Sequence, residues 1–143
     1  MATTMQLEVV SAERKLFSGT VQEVIAPGVL GDMGILPRHA QLLSRLRAGE
    51  LRYKTEEGNF ASLFVAGGFV EIQPHVVTVL ADTGMRAEDL DETAAREAMQ
   101  RAKDALEGKD PADLDYESIQ AELDAAKAQI EMLHRIGRLR SGH

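Results

Sequence analysis

The chain has 143 residues, a formal net charge of −7, 44% hydrophobic residues, and neither cysteine nor tryptophan. Without cysteine there is no disulfide, thiolate chemistry or cysteine-bound zinc, and an acidic chain with 4% aromatics offers neither a phosphate-binding surface nor a base-stacking platform, which excludes nucleic acid as a partner. No apolar run approaches the roughly 20 residues of a membrane-spanning helix, and MATTMQLEVV lacks the basic start and apolar stretch of a signal peptide; the expectation is a protein that stays in the cytoplasm and does not insert into the bilayer.

From Met5 to Ala81 the apolar residues fall in short strand-like runs, MQLEVV, TVQEVIA, ELRYK, NFASLFVAG, FVEIQ and HVVTVLAD. Alternation is clear in Leu7/Val9 against Gln6/Glu8, in Leu51/Tyr53 against Arg52/Lys54, and in Val70/Ile72 against Glu71/Gln73. One face of each strand is therefore buried and the other wet, as in an antiparallel β-sandwich. Turn residues at Phe17-Ser18-Gly19, Ala26-Pro27-Gly28, Glu57-Gly58-Asn59 and Gln73-Pro74-His75 are expected to separate the runs. The Gly67-Gly68 pair reads as a turn or bulge, because neither Lys-Ser/Thr nor a helix start follows it as a phosphate-cradling loop requires.

One stretch is unusual. Gly31 to Leu43, GDMGILPRHAQLL, places turn glycines, a rigid proline and Arg38-His39 between two apolar runs. It reads as a constrained loop that presents side chains, or as an ordinary connection between strands.

Near Met85 the character changes, giving a β-sandwich domain over 1–85 and a helical domain over 86–143, an α+β chain. From Glu88 onward β-branched residues are scarce. Asp89 with Glu92 suggests a capping box for a first helix that carries Ala95, Ala98, Ala102 and Ala105 at helical spacing and stops at Gly108. After Lys109-Asp110-Pro111-Ala112, Asp113 or Asp115 caps a second helix with Tyr116, Ile119, Leu123, Ala126, Ile130 and Leu133 spaced alternately by three and four. Such a seam packs two antiparallel helices, and a seam largely of alanine docks weakly enough to permit movement. The acidic arm ends in a basic tip, with Arg135, Arg138 and Arg140 and no acid from His134 to His143. That tip suits either the dipole at the end of its own helix or an acidic partner.

The histidines, His39, His75, His134 and His143, are scattered without ligand spacing, so no metal site is expected. With no nucleophile elbow, Walker loop or dinucleotide fingerprint, the expectation is no catalytic residues.

Taken together, VVSAERKLFSG, GDMGILPRHAQLL and VTVLADTGMRAEDLD make the chain resemble, over nearly its whole length, the epsilon subunits of bacterial F-type ATP synthases. The resemblance implies a non-catalytic rotor subunit of a proton- or sodium-driven enzyme, peripheral at the cytoplasmic face of the membrane and seated between the gamma subunit and the c ring. By motif position it implies c-ring contacts at Asp32, Met33, Arg38 and His39, and gamma contacts at Leu42 and Leu43. It also implies a helical pair that inhibits ATP hydrolysis when it extends among the alpha and beta subunits, bringing Arg135, Arg138 and Arg140 to an acidic segment of beta. Some relatives bind ATP on the folded pair through a Leu-Asp-x-x-Arg-Ala motif. Here the segment reads Leu90-Asp91-Glu92-Thr93-Ala94-Ala95; Asp91, Arg101 and Lys127 remain as nucleotide contacts, but Ala94 replaces the arginine and Glu131 stands where a cation is expected. Weak or absent ATP binding, hence no cofactor, is the expectation. A coupling subunit with little inhibition and an ATP-sensing hairpin are the alternatives.

Overall fold

The computed structural model describes residues 3–141, with side-chain surroundings through Arg138. The chain divides into two units between Ala87 and Glu88.

The first unit contains seven strands: β1 (Met5–Ser11), β2 (Lys15–Gly28), β3 (Gly31–Ile35), β4 (Leu42–Arg45), β5 (Gly49–Thr55), β6 (Phe60–Ile72) and β7 (Val76–Arg86). The order β1-β7-β6-β5-β2-β3 closes on itself because β2 also pairs with β1. Every pairing is antiparallel except β1 with β7, which is parallel. The long strand β2 pairs with β1 through Val21 and with β5 and β3 beyond it, so it carries the sheet from one layer of the sandwich to the other. The alternation in β1 and β5 is buried-then-wet as the sequence implies, and Leu7, Val9, Val24, Ile35, Leu51, Val70 and Val79 are wholly buried in one core. Each such side chain contributes about 1.5–3 kcal/mol through burial alone.

Four expectations are corrected here. Gly31 to Leu43 is not one loop: β3 and β4 occupy its ends, and only residues 36–41 connect them. Both strands are short, and β3 has two glycines and no alternation, so local pattern gave no strand signal; pairing with β2 and β6 supplies what propensity lacks. Phe17-Ser18-Gly19 and Ala26-Pro27-Gly28 lie inside β2 rather than at turns, with Pro27 beside the edge strand β3. Gly67 and Gly68 lie inside β6, whose register against β7 runs unshifted from Leu63↔Arg86 to Ile72↔Val77. Before the pair β6 is bonded to β5, and after it to β4, so the glycines mark where one strand changes partner. The last strand also runs to Arg86, past the sequence-based boundary at Met85.

The second unit follows a turn of 3-10 helix at Ala87–Asp89 and comprises α1 (Glu92–Leu106) and α2 (Tyr116–Ser141). The cap is Asp91, not Asp89: its carboxylate accepts from the backbone N–H groups of Thr93 and Ala94, leaving Asp89 in the preceding 3-10 turn. Replacing Asp91 by alanine is expected to lower helix stability by about 1 kcal/mol in thermal melts of the full chain. Helix α1 ends before Gly108, which adopts φ +74°, a conformation that favours glycine. Asp115 begins α2 by position, its carbonyl accepting from Ile119 N–H, while its carboxylate lies 3.2 Å from Lys109 Nζ. Between the helices Ala95, Ala102, Leu123, Ala126 and Ile130 are buried. Tyr116, Ile119 and Leu133 are half-buried, whereas Ala105 is exposed and Met132, outside the repeat, is buried.

Candidate functional site

The Leu36–His39 segment is a tight turn built by its residue types. Pro37 fixes the second position, Arg38 sits at φ +70°, and His39 N–H donates to the Leu36 carbonyl at 3.2 Å. That is the geometry of a type II turn, whose third position normally holds glycine. Arg38 is the one non-glycine residue with positive φ among the described residues, and its N–H is fixed by the Pro74 carbonyl at 2.8 Å. Holding an L-residue there costs about 1–2 kcal/mol, which leaves the guanidinium pointing outward on a rigid base. Arg38→Gly is expected to leave stability unchanged or to raise it by up to about 1 kcal/mol in urea unfolding, which separates the strain from whatever the side chain does at a partner.

Beside this turn is an open cleft of about 390 Å³ lined by Thr3, Gln22, Leu36, Pro37 and Arg38. His39 is half-buried, with Nδ1 donating to the Ala40 carbonyl at 2.7 Å. On β3, Asp32 is exposed but paired: Oδ1 lies 2.5 Å from Arg47 Nη2 and Oδ2 lies 3.6 Å from Arg52 Nη2. Its neighbour Met33 packs partly against the core instead of facing outward. Asp32, Arg38 and His39 thus lie along β3 and the turn that follows it, while Met33 belongs to the margin of the core.

Leu42 and Leu43 are separated by the pleat of β4. Leu42 pairs with Ile72 and shares the core-side face, while Leu43 pairs with Glu71 and shares the outer face. On that outer face the register aligns Arg45 with Phe69 and Phe69 with Leu80. Leu43 is 65% exposed, Leu80 53% and Phe69 44%, although the strands that bear them are otherwise polar outward. The Arg45 guanidinium lies 5.8 Å from the Phe69 ring centroid, close enough for a cation–π contact. An exposed apolar patch rimmed by charge marks a docking face. Val29 and Leu30, at the β2–β3 tip, are exposed as well, Leu30 completely. Sequence reasoning missed Phe69, Leu80 and this tip; the available signal was an apolar residue in the wet phase of an alternating strand, or between turn glycines.

On the helices the proposed nucleotide contacts are dispersed. Asp91 is occupied as the α1 cap, and Arg101 lies about 15 Å further along the axis. Arg101 and Lys127, on α1 and α2, are both exposed and stand near one level of the antiparallel pair. In the basic tip Arg138 is exposed and Arg135 half-buried, while the Arg140 side chain lies outside the described residues. His134 Nε2 lies 3.4 Å from Glu92 Oε1, and Arg96 Nε donates to Glu92 Oε2 at 2.8 Å. These contacts, Arg96 first and His134 second, hold the Glu92 carboxyl below the usual carboxylate range. The stabilisation this lends the helical pair is present above that usual range and is lost as pH falls through the lowered value.

No group of three or more potential metal ligands occurs among the described residues, and none of their helices is long and apolar enough to cross a membrane. The residues define a protein of two units: a β-sandwich with an exposed apolar sheet face and a rigid turn, followed by a helical hairpin.

Comparison with known proteins narrows that class. Residues 4–87 match the family described as ATP synthase, Delta/Epsilon chain, beta-sandwich domain, and residues 88–133 match its long alpha-helix domain. The chain is 50% identical over 139 residues to the ATP synthase epsilon chain of Thioalkalivibrio sulfidiphilus, covering 96% of this chain and 98% of that one. It is 53% identical over 137 residues to the epsilon chain of Halorhodospira halophila, covering 94% and 95% respectively. A chain in the cryo-EM structure of the Euglena gracilis mitochondrial ATP synthase (OSCP, F1 and c-ring) shares the fold with a TM-score of 0.80 at 19% identity, over 94% of this chain and 84% of that one. The chain belongs to the epsilon subunits of bacterial F-type ATP synthases, accessory subunits that are not catalytic by themselves.

Proposed function

We propose that this epsilon subunit is a central-stalk rotor component in which the sandwich is the anchor and the hairpin the regulator. The observation that carries the reading is the exposed outer face of Leu43, Phe69 and Leu80, which fits gamma. Arg45 and Glu71 at its rim give the docked pair a register. The c ring meets the β2–β3 tip, Val29 and Leu30, together with Asp32, Arg38 and the partly buried His39. Association of the Euglena relative's assembly with a c-ring is consistent with this arrangement. Leu42, on the other face of β4, contributes at the edge only. The complex holds the subunit at the cytoplasmic face of the membrane.

The hairpin inhibits hydrolysis by extending towards the alpha and beta subunits. Support comes from its seam: α1 contributes only Ala95 and Ala102 to the buried set, so it offers no large side chain to interlock with Leu123 and Ile130 of α2. Arg135, Arg138 and Arg140 then reach an acidic segment of beta. Replacing all three by glutamine is expected to weaken inhibition of hydrolysis severalfold at low salt while leaving gamma binding intact; retained inhibition would remove the arginines from the reading. The hairpin does not take ATP as a cofactor, because Asp91 is committed to capping, Ala94 lacks the motif guanidinium, and Glu131 adds charge of the wrong sign. Saturable binding in calorimetry at cellular ATP concentrations would contradict this.

The direct test of anchoring is co-purification with gamma. The full chain and a chain ending at Asp89 are expected to be retained equally, since the sandwich core lies wholly within Met5 to Ala81. Loss of retention on truncation would overturn the assignment of the sandwich as anchor.

A further inference from the structure

We infer that Glu92, Arg96 and His134 form a polar clasp across the open end of the hairpin, and that this clasp sets how readily α1 and α2 part. The inference rests on the reading above that the hairpin opens. Residues 107–115 tether the helices at one end, so separation begins most easily at the other, where the first turn of α1 meets the last third of α2. The clasp stands there. Glu92 Oε2 accepts from Arg96 Nε at 2.8 Å, and both Glu92 Oε1 and Arg96 Nη2 lie 3.4 Å from His134 Nε2, which donates to the carboxylate when it carries a proton and accepts from the guanidinium when it does not.

The division of labour follows from the spacing. Glu92 and Arg96 are four residues apart on one helix, an arrangement that holds the carboxylate in place before the second helix arrives. Arg96 is thus a positioning residue, and His134 is the strut contributed by α2. The apolar seam also resists separation through Leu123 and Ile130 of α2, but at the open end α1 sets only Ala95 in it, which leaves the polar clasp to act there. The three side chains are between 42% and 51% exposed, so salt screens the Glu92–Arg96 pair directly, and the Glu92–His134 contact too whenever the imidazole is protonated. It also links two features of the chain otherwise unrelated: the segment in which the family's arginine is replaced by Ala94, and the basic tip that begins at His134.

The test uses the full chain bound to gamma, with spin labels on cysteines introduced at the exposed Glu97 and Glu131; the natural chain has no cysteine to compete. Pulsed-EPR distances are recorded at about 50 mM and about 500 mM salt, where the screening length falls from more than 10 Å to a few Å. Glu92→Gln and His134→Gln are each expected to raise the open-to-closed ratio about two- to five-fold at low salt and to flatten its salt dependence. Gln100→Ala, which removes only the Gln100–Asp104 bond within α1, is expected to change neither. An open population that is the same in the parent and both clasp variants at either salt would overturn the clasp and leave the hinged reading standing. No open population in any of the proteins would overturn both.

Discussion

Gly68→Ala is expected to destabilise the sandwich by at least about 3 kcal/mol. A Cβ at Gly68 falls 2.0 Å from the Leu80 carbonyl oxygen and 2.9 Å from the Ala81 Cα, both backbone atoms of the neighbouring strand. Neither atom can retreat without breaking the β6–β7 ladder, because Gly68 and Ala81 are register partners at the head of the five pairs that run to Ile72 and Val77. The backbone at Gly68 also sits at φ +102°, where an L-side chain is strained even in open space. Gly58→Ala isolates that second contribution. Gly58 has φ +91° in the turn after β5, and nothing lies within 4 Å of a Cβ there, so its loss is expected to be about 1–2 kcal/mol. Urea unfolding of the two variants side by side checks the claim; equal losses would show that the close approach at Gly68 contributes nothing.

The second large effect concerns binding rather than folding. Leu43→Asp combined with Phe69→Asp is expected to weaken gamma binding by at least about 100-fold, because a carboxylate in a desolvated apolar contact finds no partner. Both side chains project from the outer face, away from the core, so the sandwich is expected to stay folded with a loss of about 0.5 kcal/mol at Leu43 and about 1–2 kcal/mol at Phe69, whose contact with Arg45 goes as well. Leu114→Asp is the control. Leu114 is fully exposed in the connection between the helices and should leave gamma binding unchanged. Calorimetry or surface-immobilised gamma reads both variants. Undiminished binding by the double variant would move the interface elsewhere on the sandwich.

These two sites show what was and was not legible in the sequence. Alternation identified Leu7, Val9, Leu51, Val70 and Ile72 as core, because a strand with one buried face repeats every second residue. The same rule hid Phe69 and Leu80: apolar residues in the polar phase look like noise until β4, β6 and β7 are set side by side and place them on one surface. Glycine signals misled where tertiary structure overrode them. Gly67-Gly68 reads locally as a turn, yet the β7 ladder carries β6 straight through. Strands β3 and β4 were invisible for the complementary reason, being short edges stabilised by their partners rather than by their own composition. Pro37 pointed to the turn, but nothing in the residue types announced that Arg38 occupies its left-handed position. In the helices the three-four spacing located Leu123, Ala126 and Ile130 as the seam. The Glu92–His134 contact could not be read, since it joins residues 42 positions apart through the antiparallel pairing.

ATP hydrolysis separates anchoring by the sandwich from regulation by the hairpin. A catalytic head stripped of this subunit is reconstituted with the full chain or with the chain ending at Asp89, each at saturating concentration. The full chain is expected to slow hydrolysis and the truncated chain to bind without slowing it. Equal inhibition by the two chains, or binding without inhibition by both, would contradict the assignment of regulation to the helices.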